Sequence, residues 1–173
     1  YVDAEATTLE QEYTYIVRAF DLTTGASDAN TQRASSRPGY CVLGGSETTG
    51  IPDDDASGVS VSGLASGVAT VSDVQLALTI THPFMGDLSA ALTSPSGTTV
   101  HLLQPDGTDG SSNLDTTFDL ITQPDGPGSM SDFDGEPGDG AWTLELADTT
   151  YWYEGTLDEW SLELTRSCSD RKS

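Results

Sequence analysis

Strict two-residue alternation of apolar and polar side chains, with almost no helical periodicity beside it, decides what this chain can become. Val74, Leu76, Leu78 and Ile80 take one face while Gln75, Ala77, Thr79 and Thr81 take the other. Leu88, Ala90 and Leu92 repeat the pattern, Ser94-Pro95-Ser96-Gly97 supplies a tight turn, and Thr98, Val100 and Leu102 return. Trp142, Leu144 and Leu146 do the same further on, followed by Trp160, Leu162 and Leu164. Successive strand side chains point to opposite faces, so these are strands with one buried and one wetted side. Several of them separated by Gly, Pro and Asp turns predict an all-β fold, a jelly-roll β-sandwich. Both tryptophans lie in phase with leucines and are expected in its core.

Between these runs the pattern breaks. Residues 104–140 carry eight aspartates (106, 109, 115, 119, 125, 132, 134 and 139), Glu136 and many Gly, Ser and Pro. A wandering loop is expected there, with one short strand near Thr116–Ile121, its only apolar anchors midway. A structureless stretch longer than about 12–15 residues in a compact domain is usually functional or disordered. The first 36 residues differ again. Tyr13, Tyr15 and Val17 alternate with Thr14, Ile16 and Arg18, then Phe20 to Gly25 make a strand end and a turn, and 26–39 read as a linker. The run Glu12–Asp21 resembles the penultimate strand of a fibronectin type III domain, but too little chain is present to build that sandwich. The expected organisation is therefore a remnant of a preceding β module with its linker over 1–36, and the jelly roll over 37–170. An extra strand pair packed on the main domain is the alternative for the first part.

Charge narrows the partners. The 173 residues hold 28 acidic and 6 basic side chains, a formal net charge of −22. Phosphate neutralisation needs Lys and Arg, so a nucleic-acid partner is excluded, and the same deficit argues against anionic membrane surfaces. No apolar run approaches the roughly 18–20 residues of a membrane span. There is no initiator Met or leader-like stretch, so any signal peptide is expected to be already removed. The two cysteines, Cys41 and Cys168, form no metal-binding cluster. Either they pair as one disulfide joining the two ends of the domain, which implies a secreted, extracellular setting, or they are unrelated free thiols.

Residues 51–165 resemble the P domain (Homo B) that follows the catalytic domain in kexin- and furin-like proprotein convertases and is appended to many secreted bacterial proteases. The resemblance is carried by Ile51-Pro52-Asp53, by Val74–Ile80 running into Thr81-His82-Pro83-Phe84-Met85-Gly86-Asp87-Leu88, and by Leu92-Thr93-Ser94-Pro95-Ser96-Gly97-Thr98. Phe133-Asp134-Gly135-Glu136, Gly140-Ala141-Trp142-Thr143-Leu144 before Asp148, and Gly155-Thr156-Leu157 before Trp160-Ser161-Leu162 complete it. It implies a jelly-roll sandwich without catalysis of its own that supports the folding and stability of an adjacent protease domain, with calcium bound in many bacterial members. The expected function is that of an accessory P domain of a secreted bacterial peptidase, serine-type rather than metal-dependent, whose partner is the neighbouring catalytic domain.

The residues themselves argue the same way about catalysis. A serine nucleophile needs a nearby base, normally His, and only His82 and His101 occur. His101 is out of phase with Val100 and Leu102, on the solvent side of its strand. His82 opens a turn and is expected to bond the backbone there. No Gly-x-Ser-x-Gly elbow exists, and Ser94 and Ser96 belong to a hairpin turn, so no catalytic residue is expected. Calcium fits better: it takes six to eight oxygens, which Asp side chains and carbonyls of Gly-rich loops supply. Asp87 and Asp148 match the family; Asp119 and Asp134 follow, then Asp53, Asp115 and Glu136. The alternative is that the acids serve solubility. Tyr151-Trp152-Tyr153 stands apart, because adjacent aromatics in a turn cannot all be buried by one strand face. They are either a platform for a polymer or protein ligand, the basis of an alternative role as an autonomous targeting or adhesion module, or they fold back over the sandwich edge.

Overall fold

The structure is a computed structural model and describes residues 13–15, 34–36, 40–45 and 48–166. The chain divides into two compact units, Tyr1–Tyr40 and Cys41–Ser173. In the first, β1 (Tyr13–Tyr15) pairs antiparallel with β2 (Ala34–Ser36), Thr14 opposite Ser35. β2 lies in the stretch expected to be linker. An Ala-Ser-Ser strand has no apolar alternation to announce it, and only its ladder to β1 defines it.

The remaining strands are β3 (Tyr40–Gly45), β4 (Thr49–Ile51), β5 (Asp55–Ala65), β6 (Val71–Thr81), β7 (Leu88–Thr93), β8 (Thr99–Leu103), β9 (Leu114–Phe118), β10 (Gly140–Asp148) and β11 (Gly155–Arg166). They form two sheets, ordered β5-β10-β7-β8 and β3-β11-β6-β9, with β4 added to the end of β11. From β5 to β11 the chain passes repeatedly from one sheet to the other, and the two faces close on one core as a jelly-roll β-sandwich. The alternating residues meet there. Val74, Leu76, Leu78 and Ile80 of β6 and Leu162 and Leu164 of β11 are buried with Leu92, Val100, Leu102, Trp142 and Leu144 of the other sheet. Full burial of one such side chain contributes about 1.5–3 kcal/mol. Phe133 meets Trp142 edge to face at 5.1 Å, and the Trp142 indole N–H donates to the Gly138 carbonyl at 2.9 Å.

The segment expected to wander is largely tied down. β9 begins at Leu114, earlier than expected, and pairs with β6 from Leu76↔Phe118 to Ile80↔Leu114. Leu120 and Ile121, expected as anchors, are instead 61% and 89% exposed. Asp119 is the cause: its Oδ1 accepts the N–H of Ile121 at 2.7 Å and of Thr122 at 2.6 Å, turning the chain outward at the end of the strand. Further on, Gly126 N–H donates to the His101 carbonyl and His101 N–H to the Pro127 carbonyl, so the loop covers the free edge of β8. Met130 and Phe133, on a 3-10 turn spanning Met130–Phe133, are buried and anchor the return. Among the described residues no helix is long and apolar enough to cross a membrane.

Candidate functional site

One end of the sandwich is organised around two polar side chains that water does not reach. His82, just past β6, and Asp148, the last residue of β10, are both 0% exposed, and His82 Nε2 lies 3.1 Å from Asp148 Oδ2. A carboxylate only accepts, so Nε2 carries the proton. In the neutral ring Nδ1 then accepts the Phe84 N–H at 3.1 Å; in the charged ring it donates to the Phe84 carbonyl at 2.8 Å. The other Asp148 oxygen accepts the Thr150 N–H at 3.0 Å. The His82 carbonyl and N–H are both engaged by Asn113, at 2.9 and 3.1 Å. Three chain segments, 82–87, 104–114 and 148–155, are thus fastened together. Gly155 permits it, since a Cβ there would lie 2.7 Å from His82 Cδ2. The expectation that His82 bonds the turn backbone is met, but its pairing with Asp148 was not foreseen. Both ring nitrogens are spent, so His82 has nothing to offer a nucleophile. His101 is half-buried on the outer face of β8.

Of the seven expected calcium ligands, Asp148, Asp119, Asp53 and Glu136 have carboxylates already engaged elsewhere. Asp87 is buried, and its carbonyl accepts both the N–H and the hydroxyl of Thr149 at 3.0 Å. Asp148 is held by His82, and Asp119 by its own turn. Asp53 Oδ1 accepts the N–H groups of Trp152 and Tyr153 at 2.9 and 3.2 Å. Asp115 is exposed on β9 opposite Thr79. Glu136 accepts the hydroxyls of Ser94, at 2.7 Å, and Thr98, locking the β7–β8 turn. Asp134 is exposed; partial desolvation, followed by the nearby Asp73 carboxylate, holds its carboxyl above the ordinary value. Among the described residues no three His, Cys, Asp or Glu side chains are close enough to hold a metal ion as they stand.

A different set of acids lines a cavity of about 160 Å³ beside Gly86: Asp106, Asp109 and Asp125, with Met85, Asn113 and Leu114. Sequence reasoning had them only as members of a long acidic run. Their loop is fixed by backbone bonds from Asp106 and Gly107 to the Gly86 carbonyl and from Gly86 to the Asp109 carbonyl. A Cβ on Gly86 would lie 2.9 Å from Asp106 Oδ1, so this close approach requires glycine. Asp106 Oδ1 accepts the N–H groups of Asp109 and Thr108 at 2.8 Å, and those bonds to the charged form hold its carboxyl below the ordinary value. The aromatic turn is exposed: Tyr151 by 59%, Trp152 by 74% and Tyr153 by 47%. Cys41 is half-buried against the core, while Cys168, and with it the expected pairing, lies outside the described residues.

The family model of the proprotein convertase P-domain matches residues 71–164. The chain belongs to that family. No curated protein matches it. Among solved structures, the P domain is similar to the serine protease of Aeromonas sobria, with 22% identity over 75% of this chain and a TM-score of 0.51. The same protease in complex with its chaperone gives 21% identity over 76% of this chain, also with a TM-score of 0.51. At such identity the likeness shows the fold, and the chain aligns with only 28% of each protease chain.

The two outer faces of this P domain differ sharply in charge. All six Lys and Arg lie at 18, 33, 37, 166, 171 and 172, whereas residues 41–165 contain 21 Asp and Glu and no Lys or Arg. On the β3-β11-β6-β9 sheet the positions turned away from the core include Asp73, Asp115, Asp158, Glu159 and Glu163. The β5-β10-β7-β8 sheet presents Ser60, Ser62 and Leu64, Thr143 and Glu145, Ala91 and Thr93, and His101. Glu145 is the one carboxylate among those positions. A shallow depression of about 300 Å³ lies across this face, lined by Ala56, Ser57, Ser89, Ala91, His101 and Glu145.

Proposed function

We propose that this P domain is a non-catalytic accessory module of a secreted, serine-type protease, and that it stabilises the adjacent catalytic domain by burying the outer face of β5-β10-β7-β8 against it. The observation that carries the reading is the charge-poor face on a domain otherwise covered in carboxylates. Burying a charge is costly, so a docking face sheds charge while the remaining surface keeps the domain dissolved. Small side chains at its centre let another surface approach closely, and Leu64, 75% exposed at its margin, adds apolar area. Binding to the folded neighbour alone shifts that neighbour's folding equilibrium by mass action.

The test is to produce the full polypeptide with the native face and with Ala91→Glu and Thr143→Glu. The substituted sandwich keeps its own melting temperature, but the catalytic domain loses thermal stability and yield of active enzyme. Full activity and unchanged melting of the catalytic domain in both variants would sink the proposal.

A structural calcium ion is the second element of the proposal. Its support is the oxygen chemistry of Asp106, Asp109 and Asp125, which suits a hard divalent cation. Asp106 is already bonded to two N–H groups, so uptake would have to draw the three carboxylates together. Calcium at 100 times its Kd would add about 2.7 kcal/mol. A melt unchanged between excess chelator and millimolar calcium discards this element and leaves the docking reading standing.

A further inference from the structure

We propose that the Tyr151–Tyr153 turn is a docking site for a lysine- or arginine-bearing segment of a protein partner. The three aromatics project from the β10–β11 connection, and Trp152 is the most exposed at 74%. Their presentation is fixed. Trp152 has φ +119, a backbone region that a bulky side chain rarely adopts, and Asp53, some hundred residues away in sequence, holds it there through the N–H groups of Trp152 and Tyr153.

Ring geometry and charge select the occupant. The Tyr151 and Trp152 rings have centroids 5.1 Å apart and planes inclined at 48°, so they do not form one continuous flat surface on which successive sugar rings stack. Asp53, Asp54 and Glu154 are exposed beside them. Aromatic faces rimmed by carboxylates attract ammonium and guanidinium groups through cation–π and charge contacts together. No cation of residues 41–165 can fill this role, because that stretch has none. A second sandwich is repelled by like charge, and nucleic acid and anionic lipid carry the wrong sign. The site is separate from the charge-poor sheet face and stands whether or not that face docks a protease.

Trp152 also supplies the readout, since Trp142 and Trp160 are buried in the core. The full chain is titrated with a decalysine peptide, and with the same peptide acetylated on every Nε, in 0.15 M NaCl, following tryptophan emission and then calorimetric affinity. Decalysine quenches saturably and the acetylated peptide does not. Trp152→Ala and Tyr151→Ala weaken decalysine about three- to tenfold without lowering the melting temperature. Glu163→Gln on the far sheet leaves affinity unchanged. Equal affinity in Trp152→Ala would reduce binding to diffuse attraction by a −22 chain and overturn the proposal. Quenching by chitohexaose with no response to decalysine would overturn it in favour of a neutral polymer.

Discussion

Removing the His82 side chain is the sharpest challenge to this account of the P domain. His82→Ala strands Asp148 Oδ2, whose partner stood at 3.1 Å, in a place neither residue shares with water. Breaking a buried pair by deleting one member costs about 3–5 kcal/mol, and the vacated ring volume adds to it. At roughly 3–5 °C per kcal/mol for a unit of this size, the melting temperature falls by about 10–20 °C. Asp148→Ala strands the Nε2 proton and costs nearly as much. Asp148→Asn is different. Its oxygen can keep the Thr150 N–H, and its NH2 can face Nε2 once the ring proton moves to Nδ1, where the Phe84 carbonyl waits at 2.8 Å. That change costs about 1–2 kcal/mol. Urea unfolding of the full chain at pH 7, read as a double-mutant cycle of His82→Ala with Asp148→Ala, should give a coupling energy above about 1 kcal/mol. Coupling below about 0.5 kcal/mol, or an Asp148→Asn variant as damaged as Asp148→Ala, would refute the reasoning.

Other perturbations have definite signs. Trp152→Gly relieves a positive φ that glycine adopts freely and should stabilise by about 1 kcal/mol; a lower melting temperature would contradict the strain. Asp134 has a folded pKa above its unfolded value, so it weakens the fold at neutral pH and that deficit fades as the pH falls through the raised value. Asp134→Asn should therefore melt slightly higher than wild type at pH 7, with the gap closing as the pH falls through the ordinary aspartate range. Asp106 is shifted the other way, so its contribution is present above the ordinary aspartate value and is lost only as the pH falls through its lowered one. Raising NaCl from 0.01 to 1 M, which shrinks the Debye length from about 30 to about 3 Å, should raise the melting temperature because 21 carboxylates face no internal cation. A flat salt profile would show that their mutual repulsion is negligible.

The strands legible in the sequence were those whose inward residues are large. Val74–Ile80, Leu88–Leu92 and Trp142–Leu146 announce themselves because a whole core face is aliphatic or aromatic. β5 is not legible as a strand, since Ser-Gly-Val-Ser-Val-Ser-Gly-Leu-Ala puts half-buried Val59 and Val61 and only the small Ala65 inward and turns Leu64 outward. Met130 and Phe133 anchor the acidic loop through one isolated 3-10 turn, too short to set up a repeating pattern in the sequence. The polar contacts were least visible. His82 and Asp148 are 66 residues apart, and Glu136 reaches across 42 to Ser94; no local pattern encodes such meetings. The acids were legible as a total, but which carboxylate caps a turn and which lines a cavity depends on how the loops close.

The stretch without lysine or arginine has a consequence for survival beside proteases. Trypsin-like enzymes cut after basic residues because an aspartate at the base of their specificity pocket demands a positive charge. Between residues 41 and 165 this chain offers no such bond, folded or open. Transient unfolding, which exposes most domains to whatever peptidase is near, leaves this one with nothing for that class to cleave. Exhaustive tryptic digestion of the denatured chain should therefore leave residues 41–165 within one uncut fragment.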